Sequence, residues 1–146
     1  MTTLTRPVTV RCPFCGQKNR VDLARIDAGP KCGQCQRPLL LDRPIKATSD
    51  DFDTTIATAS VPVVVDFYAD WCGPCRAMAP VLDDFAARRQ GEVLVLKVDT
   101  DRDPGISERF GIRGISTLIA FRVRGGREIG RHVGLADAAQ LGALVA

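Results

Sequence analysis

Aromatic residues are scarce in this chain: one tryptophan, one tyrosine and six phenylalanines among 146 residues. A surface that stacks nucleic-acid bases needs several exposed rings, so this composition argues against one. A net charge of +3 is too small to argue for a polyanionic partner. Histidine occurs once, as His132, which excludes sites built on several imidazoles and leaves it as a surface residue without a catalytic partner. No apolar run approaches the roughly 18 residues of a membrane span. Residues 1–14 have no continuous apolar core, so no secretory signal is expected.

Cysteine is what the chain does have. Its six cysteines fall into three C-x-x-C pairs. With no export signal, this pattern favours metal and redox chemistry in a reducing compartment, the cytoplasm, over structural disulfides.

The first two pairs, Cys12/Cys15 and Cys32/Cys35, read C-x2-C-x16-C-x2-C. Four thiolates at this spacing suit one tetrahedral, structural zinc ion per chain. Two disulfides or free thiols are the alternative reading. The surrounding module, residues 1–41, has few apolar residues, chiefly Val10, Phe14, Val21, Leu23 and Ile26. Metal is therefore expected to contribute much of its folding energy. A short bridge with Pro38 and Pro44 keeps it close to the second unit, residues 42–146.

The third pair lies in Val63-Val-Val-Asp-Phe-Tyr-Ala-Asp-Trp-Cys-Gly-Pro-Cys75. Consecutive β-branched residues predict a strand buried on both faces, and a helical pattern follows Cys72. A cysteine at a helix N-terminus meets unpaired N–H groups and partial positive charge, which favour its thiolate. Cys72 is therefore the expected nucleophile. Cys75, on the same helical face, is placed to attack a mixed disulfide at Cys72. Asp66 is the only charge in Val61 to Ala69. Burial is expected to raise its pKa and suit it to take the Cys75 proton; a strand-end charge reaching water is the plainer reading. Lys97, the only charge in Val93 to Val98, points either to Asp66 or to solvent.

Around this stretch the pattern predicts an edge strand at Ile45–Ala47 and a helix capped by Ser49, with Asp50, Asp51 and Asp53 in its first turn. A helix from Cys72 to Arg89 is expected to kink at Pro80. Strands follow at Val93–Val98, Thr117–Val123 and Glu128–Val133, with a short helix near Pro104 and a last helix over Ala136–Val145. The order from Ile45, β-α-β-α-β-α-β-β-α, predicts an α/β fold with a mixed sheet flanked by helices.

Trp71-Cys-Gly-Pro-Cys75, preceded by Val-Asp-Phe-Tyr-Ala, resembles the active-site segment of the thioredoxin family. Lys97, Pro80, Phe110-Gly-Ile-Arg-Gly-Ile115 and Gly134 also fall on family positions, and the four-cysteine module is similar to that of the bacterial thioredoxin 2 type. The resemblance covers about Pro44 to Ala146. It implies a thioredoxin fold with a small N-terminal zinc-ribbon-like module, reduction of protein disulfides, and recharging by an NADPH-dependent thioredoxin reductase. It further implies that Cys72 attacks, Cys75 resolves, Asp66 is the buried acid/base and Lys97 its charge partner. Trp71, Gly73, Pro74, Gly114, Ile115, Ser116 and Gly134 would form the surface that receives substrate.

One departure stands out. Ser116 occupies the place of the family's cis-proline. A cis bond before a non-proline costs about 2.5–4 kcal/mol against roughly 0.5–1 before proline, so a trans Ile115–Ser116 bond, or a strained cis one, is expected. Weakened substrate docking, or metal or cluster binding at an exposed dithiol, would follow. A zinc-ribbon binding protein with low reductase turnover, or a zinc-thiolate oxidation sensor, is the alternative function.

Overall fold

The computed structural model describes residues 5–113 and 116–146. Two sheets form. The smaller pairs β1 (Pro7–Arg11) with β2 (Lys18–Asp22) antiparallel. A 3-10 turn over Leu23–Ala28 follows, and Gly29 closes it in the left-handed region at φ +66°. Asp22 starts that turn by accepting from the Ala24 N–H at 3.0 Å.

The larger sheet has the order β3-β5-β4-β6-β7. Its strands are β3 (Ile45–Lys46), β4 (Val63–Tyr68), β5 (Leu94–Asp99), β6 (Thr117–Phe121) and β7 (Glu128–Val133). β3, β5 and β4 run parallel; β6 and β7 are antiparallel additions. The helices are α1 (Phe52–Thr58), α2 (Gly73–Arg88), α3 (Pro104–Arg109) and α4 (Ala138–Leu144). The mixed α/β architecture expected from the pattern is what forms.

Alternation along the strands divides the core. Val63, Val65 and Phe67 face α1 and α3 with Leu94, Leu96, Ile119 and Phe121. There Phe52, Phe67, Phe110 and Phe121 make a cluster of rings 5.5–6.4 Å apart. Val64, Val95 and Leu118 face α2 and α4, packing on Met78, Leu82, Phe85 and Leu141. Every residue of β4 is buried, as its apolar run predicts.

The ribbon does not stand apart. Val8, Val10, Leu23 and Leu39 share the first core cluster with Phe52 and Ile56. The Thr55 hydroxyl donates to the Thr9 carbonyl at 2.7 Å, and the Ser60 hydroxyl to that of Pro7 at 2.8 Å. Phe14, expected among the ribbon's apolar residues, is instead 49% exposed, with the Arg37 guanidinium over its ring.

Two local expectations change. Ser49 does not cap α1: the helix begins at Phe52 after Asp51, and only Asp53 lies in its first turn. The Asp51 carboxylate accepts from the Thr48 N–H at 2.8 Å and from Arg11 at 3.3 Å. The Ser49 N–H donates to Asp103. β6 ends at Phe121 rather than Val123, after a register shift between Ala120 and Phe121.

Candidate redox and metal sites

β4 delivers the dithiol. It ends at Tyr68, the chain turns through Asp70 and Trp71, and α2 opens at Gly73. Cys72 is the N-cap residue of α2, and its Sγ accepts from the Cys75 N–H at 3.2 Å. Pro74 lies in the first turn, where a missing N–H leaves no bond unmade. Cys72 and Cys75 are joined as a disulfide with Cα atoms 5.2 Å apart. Phe67, Tyr68, Ala69, Thr100 and Ile112 line one small pocket together with the two cysteines.

Asp66 lies in the same strand, 1% exposed, on the face that carries Val64. Neither carboxylate oxygen has a hydrogen-bond partner among the described residues. Burial pushes its pKa up to about 6, and the Lys97 charge opposes that rise. The sheet register pairs Asp66 with Lys97 on β5. The Lys97 Nζ sits over the Tyr68 ring, 4.5 Å from its centroid, rather than on the carboxylate.

Beside the disulfide, Trp71 is 60% exposed, and Gly73 and Pro74 are exposed with it. The Trp71 Nε1–H donates to Asp101 at 3.1 Å. Asp101 was hidden in the sequence, where Asp99 to Asp103 reads as a solvated acidic turn. Only the strand pairing that places β5 next to β4 brings it to Trp71. Ser116 is fully buried, its hydroxyl lacks a partner among the described residues, and its carbonyl accepts from the Gly134 N–H at 2.8 Å. Gly134 has φ +91°. Gly114, Ile115 and the Ile115–Ser116 bond lie outside the described residues. His132 keeps to the hairpin, its Nε2 2.7 Å from the Leu135 carbonyl.

In the ribbon, the Sγ atoms of Cys12, Cys15, Cys32 and Cys35 all lie within 4.8 Å of one another. Two of the separations are 3.7 Å (Cys12 to Cys35) and 3.5 Å (Cys15 to Cys32). Backbone N–H groups of Phe14 and Gln34 donate to Cys12 and Cys32, and the Asn19 amide also donates to Cys32. Backbone donation, led by Cys35, pulls the Cys32 thiol down to about 6 against its burial. The N–H donors favour the thiolate at Cys12 and Cys32, while the neighbouring sulfurs push the Cys15 thiol up to about 11; four sulfurs converging in this way suit a soft metal ion.

A dithiol at the N-terminus of a helix, delivered by the buried strand of a mixed sheet, defines a redox-active dithiol/disulfide domain. The chain belongs to the thioredoxin family: the Thioredoxin family model matches residues 43–146, and the zinc-ribbon model described as Thioredoxin 2, N-terminal matches residues 11–37. It is 39% identical over 108 residues to Thioredoxin C-3 of Corynebacterium nephridii, covering 74% of each chain. It is 43% identical over 89 residues to Thioredoxin 1 of a Nostoc species, covering 61% of this chain and 81% of that one. Among solved structures, a mutant thioredoxin from Halobacterium salinarum superposes with a TM-score of 0.63 at 30% identity, covering 72% of this chain and 89% of that one. Membership supports disulfide oxidoreductase chemistry. Among the described residues, no helix is long and apolar enough to cross a membrane.

Proposed function

We propose that the chain reduces disulfides in other proteins through Cys72 and Cys75, and is itself re-reduced by a thioredoxin reductase at the expense of NADPH. The observation that carries this reading is the N-cap position of Cys72, whose Sγ accepts the Cys75 N–H at 3.2 Å. That bond strengthens when the sulfur is a thiolate, so the helix end stabilises the attacking form.

The Cys72 thiolate attacks one sulfur of the substrate disulfide. A mixed disulfide forms and one substrate thiolate leaves. Cys75 gives up its proton, with Asp66 as the acceptor, and attacks the Cys72 sulfur. The second substrate thiolate leaves, and the Cys72–Cys75 disulfide remains, two electrons having passed to the substrate. Lys97, beside Asp66 in the register, supports the ionised carboxylate once the dithiol opens. Trp71, Gly73, Pro74, Ser116 and Gly134 form the receiving surface, with Gly114 and Ile115 completing it.

Residues 1–41 form the metal-holding module and 42–146 the redox domain. The metal is zinc, one ion per chain. A Zn–S bond of about 2.3 Å requires S–S separations of roughly 3.8 Å in a tetrahedron, and the observed 3.5 and 3.7 Å fit that figure. Zinc has no redox chemistry and serves structure here. The cytoplasm, a reducing compartment, keeps both thiol sets working.

The deciding experiment is insulin-disulfide reduction driven by NADPH and thioredoxin reductase, with Cys72→Ser as the blank and Ser116→Pro for comparison. Turnover by the native chain, abolished in Cys72→Ser, is expected. If only Ser116→Pro turns over, the dithiol is sound and the serine has disabled docking. If neither does, the reductase reading fails.

A further inference from the structure

A groove of about 430 Å³ runs between the ribbon and the redox domain. Its lining includes four cations, Arg11, Arg43, Lys46 and Arg102, and no carboxylate. Arg11 is engaged by Asp51 and Arg43 by Asp42. Lys46 and Arg102 are exposed and have no ion pair among the described residues. Between the charges the lining is aliphatic, half-buried Leu40 at the surface with Leu39 and Ile45 buried behind it. The groove exists only because the ribbon is docked, since Arg11 comes from one module and Lys46 and Arg102 from the other.

The groove is linked to the dithiol segment through one turn. Arg102 follows Asp101, whose carboxylate holds the Trp71 indole at 3.1 Å, and Trp71 precedes Cys72. That turn also carries Asp99 and Asp101, which repel carboxylates and so confine an acidic ligand to the groove itself.

We propose that this groove docks an acidic segment with interspersed aliphatic residues, belonging to the protein whose disulfide is presented to Cys72. The proposal rests on the reductase reading. Cations separated by aliphatic walls match carboxylates spaced along a peptide. No aromatic ring lines the groove, so it lacks the stacking platform that a nucleic acid needs. The ribbon thereby serves substrate selection as well as stability.

The test compares two peptides with the same disulfide, one with a Glu-Leu-Glu-Leu-Glu tail and one with Gln in place of each Glu, in the NADPH-coupled assay. At low salt the acidic tail is expected to raise kcat/KM roughly five- to tenfold, through KM. The advantage should collapse in about 0.5 M salt. It should vanish in the Lys46→Glu/Arg102→Glu double variant, which keeps the native rate on the Gln-tailed peptide. Equal KM values for the two peptides, or an advantage that survives charge reversal, overturn the proposal. If neither peptide is reduced, the reductase reading fails by itself; fluorescence anisotropy of a labelled, cysteine-free Glu-Leu peptide then reads the groove directly. Salt-sensitive binding that is lost in the double variant supports the groove, and its absence overturns it. Displacement of that peptide by single-stranded RNA at lower concentration than by unlabelled peptide overturns the assignment to a protein segment.

Discussion

Asp66 is a buried, unpaired carboxyl whose cost in stability depends on pH. In the unfolded chain its carboxyl ionises in the ordinary range; in the folded chain burial raises the pKa to about 6. Below about pH 4 the group is protonated in both states, and its burial carries no charge penalty. As pH rises from about 4 to about 6 the unfolded chain gives up this proton while the folded chain, whose carboxyl has no hydrogen-bond partner among the described residues, keeps it; stability is lost across that window and levels off above it. Asp66→Asn is therefore expected to stabilise the oxidised chain by on the order of 2 kcal/mol at pH 8 and to leave it unchanged near pH 4. Denaturant unfolding at the two pH values measures this. In single-turnover reduction the same variant should slow release of the second substrate thiol. Ser116 presents a milder case, a buried hydroxyl without a partner among the described residues. Ser116→Ala should gain about 1 kcal/mol in the same unfolding assay, which separates the serine's effect on stability from any effect on docking.

Elements differ in how much of themselves the sequence reveals. β4 and α2 were legible because their signals are local: an apolar run, then C-x-x-C, then apolar residues at helical spacing. The dithiol at the Cys72 N-cap followed directly. The start of α1 was not legible, because Thr48, Ser49, Asp50 and Asp51 are all capping residues by type. What singles out Asp51 is partly local, its carboxylate accepting from the Thr48 N–H at 2.8 Å, and partly tertiary, since Arg11 reaches the same carboxylate from the ribbon, forty positions earlier. The pin from Asp101 to Trp71, wholly tertiary, was hidden too. The β6–β7 turn at Gly125-Gly126 was legible as a turn, but its constraint is again tertiary. Gly126 has φ +62°, and a Cβ there would lie 2.6 Å from the Ile56 Cγ2 of α1. Gly126→Ala should therefore cost about 1–3 kcal/mol, from backbone strain and from the collision with α1. Thermal unfolding measures the loss, and Gly126→Ala made in an Ile56→Ala background should cost less than in the native chain by its steric part. A loss under about half a kcal/mol would mean that the hairpin stands off from α1.

For the molecule as a whole, the question is whether ribbon and redox domain unfold together. Ribbon composition alone suggested a small unit held by metal, with too few apolar residues for a core. Its apolar residues do not build a separate core. Val8, Val10, Leu23 and Leu39 are 1–2% exposed and lie in one cluster with Phe52, Val65 and Leu96. Cys12 and Cys32, two of the four clustered cysteines, belong to that same core cluster. Hydrogen bonds from Thr55 and Ser60 to the backbone of β1 add to the junction. If a metal holds these four sulfurs, which lie within 4.8 Å of one another, its loss would cost energy in the shared core as well as in the cysteine turns. A metal chelator is therefore expected to lower the melting temperature of the whole chain by roughly 10 °C or more, in one cooperative transition. Calorimetry with and without chelator, alongside Cys12→Ser, makes the measurement. Two resolved transitions, with the major one unmoved by chelation, would mean that the ribbon is tethered rather than integrated. The groove formed at the junction would then open as the ribbon melts, and any preference for acidic substrates would disappear with the metal while basal reduction persisted.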